Sequence, residues 1–210
     1  MNKGNRESDQ LHSYLALRNA IGWIGILLPF VLMVGSVIVF GCKGILTTIS
    51  QYYYSGMRDV MVGALCAIAL FLFFYKGYDR FDDIAGNLAG IFALGIALFP
   101  TVKSGPNDVP ATIHFISATL FFITLAAFSL FLFTRKGPNP TRRKLLRNKI
   151  YIACGILMLI CLIAILVFFN FLADDLPEST FVFWAETIAL VSFGISWLTK
   201  GGTILPDKKP

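Results

Sequence analysis

Residues 150–173, IYIACGILMLICLIAILVFFNFLA, form 24 consecutive positions without a charge. A helix that crosses a lipid bilayer needs about 20 predominantly apolar residues, and this stretch meets that length outright. Working outward, five more uncharged runs appear at 19–42, 60–75, 84–102, 109–134 and 187–199, the last preceded by Glu186 inside an otherwise apolar 179–199. The run 60–75 has 16 residues and reaches spanning length only with Arg58 and Asp59 included, and the last run spans only if Glu186 is tolerated. Composition agrees. Apolar residues make up 56% of the 210-residue chain and charged residues 14%, against roughly 25% charged in soluble domains. So few charges cannot cover a water-exposed surface. The expected fold is all-α, a polytopic membrane helical bundle of six transmembrane helices. Its spans fall near 20–41, 57–76, 84–102, 110–134, 150–173 and 179–199, with tails at 1–19 and 201–210.

Basic residues set the orientation. With the N-terminus inside, the inner segments hold Lys3, Arg6 and Arg18; Lys76 and Arg80; Arg135, Lys136, Arg142, Arg143, Lys144, Arg147 and Lys149; and Lys200, Lys208 and Lys209. That is fifteen of the eighteen Lys and Arg, leaving Lys43, Arg58 and Lys103 outside. Such a positive-inside bias requires an even number of spans and places both termini in the cytoplasm. The last outer loop, Asp174-Asp175-Leu176-Pro177-Glu178, is acidic, as that orientation expects. The net charge of +6 then reads as anchoring of the 135–149 loop to anionic headgroups of the bilayer, and nucleic acid is not an expected partner. No cleaved leader is expected, because the first apolar run exceeds the usual 7–15 residues and no A-x-A site follows it.

Local signals fill in the bundle. The segments FLFFYKG (71–77), FLFTRKG (131–137) and ISWLTKG (195–201) end helices two, four and six alike. Each places an aromatic anchor, a Lys against the negative dipole end and a Gly for a left-handed cap at the inner interface. Gly86, Gly90, Ala93 and Ala97 form a small stripe on helix three that admits a close neighbour. Tyr52, Tyr53 and Tyr54 read as an outer aromatic belt, and the connection Gly44–Gly56 has room for a short helix. Cys66, Cys154 and Cys161 read as small apolar residues within the runs.

Ionisable residues within spans are costly and are functional candidates by default. Here they gather toward the outer face. Arg58 and Asp59 begin helix two, and Asp59 shares a small-residue face with Gly63 and Ala67 that should look into the bundle. His114 lies roughly 6 Å and Glu186 roughly 10 Å below the outer boundary at about 1.5 Å per residue, and Asn170 lies at similar depth on helix five. These five form the candidate ligand-binding pocket. Each also has a plainer reading. Arg58 and Asp59 can sit at headgroup level, Asn170 can bond a neighbouring helix, and His114 can be satisfied by a backbone carbonyl or Ser117. Glu186 needs a partner, with Arg58 or His114 expected. The inner half offers little polar lining beyond Asn87.

Three functions fit. The first is binding or conduction of a small ligand, lipid headgroup or proton at that outer pocket. The second is a metal-free intramembrane hydrolase or transferase, with His114 and Asp59 or Glu186 as acid and base and Ser50 or Ser117 as nucleophile. The third is a non-catalytic assembly or sensor module acting through the 135–149 loop. A homo-oligomer is compatible with each of the three. No metal or cofactor is expected: the chain has two histidines, one of them His12 in the tail, so a three-His zinc site is out of reach within one chain.

The run ISQYYYSGMRDVMVGALCAIALFLFFYKGYD (49–79), together with GISWLTKG (194–201), resembles six-helix integral membrane proteins of bacteria that share a domain of unknown function. That resemblance implies a bacterial inner membrane as location and supplies no activity or site residue.

Overall fold

A computed structural model describes residues 3–77, 79–101 and 109–206, with side chains from Leu15 onward. Helices α1 (Lys3–Ile38), α2 (Arg58–Phe73), α3 (Arg80–Leu98), α4 (Val109–Ala127), α5 (Arg142–Phe171) and α6 (Phe181–Lys200) make up the fold. A 3₁₀ turn at Ser50–Tyr54 precedes α2, and a π-helical turn at Phe128–Leu132 ends α4. The described residues contain no strand. Five helices are long and apolar enough to cross a membrane. The exception is α2, whose 16 residues span about 24 Å at 1.5 Å each, short of the roughly 30 Å hydrocarbon layer.

Capping groups, rather than the last charged residue, decide where helices begin. The Thr141 hydroxyl accepts the Lys144 N–H at 3.1 Å and starts α5 at Arg142. Half of the expected 135–149 loop is therefore helix. Asp79 does the same for α3, accepting from the N–H groups of Phe81 and Asp82 at 3.0 and 3.2 Å. The expected N-terminal tail is likewise helical from Lys3. Its side chains at Lys3, Arg6 and His12 lie outside the described residues, as do Lys103, Lys208 and Lys209. The left-handed caps expected at Gly77, Gly137 and Gly201 do not form. Positive φ occurs instead at Gly41 and, one residue past the expected cap of α6, at Gly202 (φ 81°). There Thr203 N–H bonds Leu198 O and Gly202 N–H bonds Thr199 O, which satisfies two orphan carbonyls at the helix end.

Each helix packs on its neighbours in sequence, and α6 closes the ring onto α1. The α6 helix is the most interior, with 67% of its most apolar stretch buried against 28–39% for the other four long apolar helices. Glycines set the tight crossings. Gly22 and Gly194 bring α1 and α6 into backbone contact, since a Cβ at Gly194 would stand 2.5 Å from the Gly22 carbonyl oxygen. The stripe on α3 behaves as expected: Gly86 lies against Leu72 O and Gly90 against the Phe73 ring of α2. The ring's outward faces carry exposed apolar side chains, among them Leu27, Val34, Ile160, Ile163 and Leu166.

The bundle has two unlike ends. At the basic end, Arg135 bonds Asp79 at 2.8 Å, tying the end of α4 to the start of α3. Lys144 donates to Phe133 O at 2.7 Å, and Lys200 lies over the Phe133 ring. Arg18 lies over Tyr75, so the start of the apolar part of α1 meets the end of α2 there. The opposite end, the loop end, holds the long α1–α2 connection and the α5–α6 turn.

Candidate functional site

At the loop end the α1–α2 connection folds back into the bundle. The unpaired first-turn donor of α6, Phe183 N–H, bonds Thr47 O at 2.9 Å. Tyr52 is fully buried, its ring 6.1 Å from that of Phe183. It is therefore a core anchor and not part of an outer aromatic belt. Local polar bonds hold the turn's shape: Thr47 N–H to Gln51 Oε1 and Gln51 N–H to Thr48 Oγ1, both at 3.1 Å. The expected short helix is the 3₁₀ turn Ser50–Tyr54.

This docking delivers two polar groups to the helices. Ile49 N–H donates to Glu186 Oε2 at 2.6 Å. The Ser50 hydroxyl lies 2.8 Å from His114 Nε2, while His114 Nδ1 lies 2.7 Å from Phe99 O. A carbonyl oxygen only accepts, so Nδ1 carries the proton, and in the neutral ring Nε2 then accepts from Ser50. The imidazole is buried and is fixed at both nitrogens. Ser50 and Glu186 share the wall of one cavity, whose remaining lining is apolar, including Leu28, Met61, Phe121 and Leu190. Its volume of about 40 Å³ holds about three or four waters at roughly 10–15 Å³ each.

The five expected pocket residues divide. Glu186 and His114 reach the loop-end site. Arg58, Asp59 and Asn170 do not. Arg58 is exposed and lies over the Tyr53 ring, 4.5 Å from its centroid, with a 2.9 Å bond to the Tyr53 hydroxyl. Asp59 is exposed, and so is Gly63 a turn later; the buried face of α2 is instead Met61, Leu65, Ile68, Ala69 and Leu72. Asn170 is exposed and donates to Leu166 O on its own helix at 2.8 Å, not to a neighbour. The partner of Glu186 is the Ile49 backbone, not Arg58 or His114. Of the two serines considered beside His114, Ser50 is the one bonded to it, whereas Ser117 packs its hydroxyl against Gly95 of α3. Sequence reasoning missed the backbone groups of Thr47, Ile49 and Phe99 entirely. The one signal for them was an α1–α2 connection longer than a turn requires.

Comparison with models of known protein families, with curated proteins and with solved structures found no match.

Proposed function

We propose that the chain is a multi-pass plasma-membrane protein with six spans and cytoplasmic termini, and that its loop-end site binds the polar end of a small amphiphile. The membrane reading rests on the apolar outward faces, which suit lipid and not water. The orientation rests on the basic end, where Lys and Arg from both termini and both inner corners meet. It predicts that half-exposed Cys42, at the loop end, reacts with a membrane-impermeant maleimide in intact cells. Labelling only after lysis would invert the topology.

The binding reading rests on a single observation: Ser50 and Glu186 line the same apolar cavity. The Glu186 carboxylate accepts one backbone hydrogen bond and has capacity for further donors. A hydroxyl, amide or ammonium end of a ligand supplies such donors, and the apolar wall receives a methyl or chain segment. Cavity size limits the buried part to a few heavy atoms. Mass spectrometry of protein purified in mild detergent tests this. The expected result is a stoichiometric amphiphile on the wild type that is lost in Glu186→Gln and in Leu65→Trp, which fills the cavity. Equal recovery from all three counts against the reading.

One contact favours a second reading. The Ser50–His114 hydrogen bond is the nucleophile–base geometry of acyl transfer, with Phe99 O in place of an orienting carboxylate. In such a step His114 takes the hydroxyl proton as Ser50 attacks an acyl carbon, and later returns it to the leaving group. A fluorophosphonate probe decides. Labelling of Ser50 that falls about 10²–10⁴-fold in His114→Ala supports catalysis. No labelling of the wild type leaves the site to binding alone.

A further inference from the structure

The loop-end cavity is one-sided in its hydrogen bonding. Its polar wall is Ile49, Ser50 and Glu186, and the other lining side chains are apolar. The Ile49 N–H is taken by Glu186 Oε2 at 2.6 Å. Ser50 has a single O–H. It goes to His114 Nε2, because the His114 Nδ1–H is held by Phe99 O. The Ser50 oxygen is left with lone pairs alone to offer. Glu186 Oε1 is an acceptor too. It has no hydrogen-bond partner among the described residues and is not sealed within the protein. The other lining residues sit inside helices, where each N–H bonds the preceding turn. The wall therefore presents acceptors and no donor.

Charge points the same way. Among the described residues no Lys, Arg or His forms an ion pair with Glu186. Arg58 lies over Tyr53, and both His114 nitrogens are spent on Ser50 and Phe99. A carboxylate walled by apolar side chains is costly without a counter-charge. The complement of this wall is a cation that donates several hydrogen bonds. A primary ammonium has both properties, with three N–H donors and one positive charge. A hydroxyl brings one donor and no charge. A carboxamide adds an acceptor that the wall cannot satisfy, and a carboxylate or phosphate is repelled. Phe121 and Phe122 line the same cavity, and aromatic rings attract an ammonium where aliphatic walls do not. The cavity's size admits the nitrogen and roughly two or three carbons, at about one water's space each.

We propose that the loop-end cavity selects the ammonium end of a primary alkylamine, with Glu186 as its counter-ion and the Ser50 oxygen as a second acceptor. This rests on the reading that the cavity binds an amphiphile, and adds which head group it takes. The Ser50–His114 bond then has a part in binding: His114 draws the Ser50 hydrogen away, so that the oxygen offers lone pairs to the ligand.

Thermal unfolding of the full chain in uncharged detergent tests it, at about pH 8, where an alkylamine is protonated. The probes are hexylamine, hexanol and hexyltrimethylammonium. The expected result is a saturable rise in Tm with hexylamine, at an apparent affinity about tenfold above that for hexanol, as a charge-assisted hydrogen bond exceeds a neutral one. Hexyltrimethylammonium, charged but without an N–H, should give no saturable rise. Glu186→Gln keeps an oxygen for the Ile49 N–H, so it should fold like the wild type while losing the preference for hexylamine. Leu65→Trp should abolish both responses by filling the cavity. Asp59→Asn, exposed near the same end of the bundle, should titrate like the wild type. Equal affinities for hexylamine and hexanol, both lost in Leu65→Trp, would overturn the ammonium assignment and leave amphiphile binding standing. An equal response to hexyltrimethylammonium, or a hexylamine response that survives in Glu186→Gln, overturns it as well. So does a flat hexylamine titration of the wild type, after which the co-purified amphiphile alone decides the broader reading.

Discussion

Trp197→Ala is expected to destabilise the protein by about 3 kcal/mol, the low end of what truncating a buried Trp costs. The side chain is fully buried. Its ring lies 5.1–5.4 Å from the rings of Tyr75, Phe128, Phe133 and Phe193, joining α6 to the ends of α2 and α4. In water the loss would combine a transfer term and a cavity term. In lipid or detergent the unfolded chain keeps apolar surroundings, so most of the transfer term vanishes and the cavity with its lost dispersion contacts remains. Trp197→Phe keeps a ring in place and removes a buried N–H that has no acceptor among the described residues. It should cost less than about 1.5 kcal/mol. Reversible unfolding in mixed micelles separates the two. Equal losses for Ala and Phe would mean that something other than packing holds this residue.

Gly194→Leu should cost about 3 kcal/mol or more, at or beyond the upper range for overpacking. The clash begins at the first carbon. A Cβ there would stand 2.5 Å from Gly22 O and 3.1 Å from Ile26 N, and backbone atoms have no rotamer by which to move aside. The helices α1 and α6 would have to separate, which opens the ring where it closes. Gly194→Ala already introduces the offending atom and should show much of the loss. Gly63→Ala is the control. That glycine is exposed, nothing lies within 4 Å of the added carbon, and replacing a mid-helix Gly should stabilise by about 0.5–1 kcal/mol. Unfolding midpoints that rank Gly194→Leu no lower than Gly63→Ala would rule out the crossing.

The two ends of the bundle differed in how far they could be read in advance. His114 and Glu186 were found because an ionisable side chain within an apolar run is costly wherever it points. Their partners were not found. Glu186 meets a backbone N–H more than a hundred residues away in sequence, and no residue type announces a backbone donor. Asp59 was assigned an inward face because Gly63 and Ala67 follow it at helical spacing. That inference fails on helices of this kind, since a lipid-facing side is as apolar as a core-facing one and periodicity marks no difference. Arg18, Lys144, Arg147 and Lys200 were counted for orientation, Lys144 and Arg147 as part of the headgroup-anchoring loop and Lys200 against the dipole end of its helix. That Arg18, Lys144 and Lys200 lie over the adjoining rings of Tyr75, Tyr151 and Phe133 depends on helix ends that meet only after folding.

Length, composition and charge placement by themselves determined the all-α class, the six helical segments, the close-packing stripe on α3 and the clustering of Lys and Arg at alternate connections. Each of these follows from local physics: the spacing of charges along the chain, and the size of side chains at helical repeat. Only the tertiary structure decided which face of α2 is buried, that Tyr52 is a core anchor, that Ser50 pairs with His114, and that the rings of Tyr75, Trp197, Phe133 and Tyr151 adjoin. Those are pairings between distant segments, set by how the ring closes through Gly22 and Gly194 and how the α1–α2 connection folds into it. A pairwise distance is a property of the packed chain, and a single sequence carries no local trace of it.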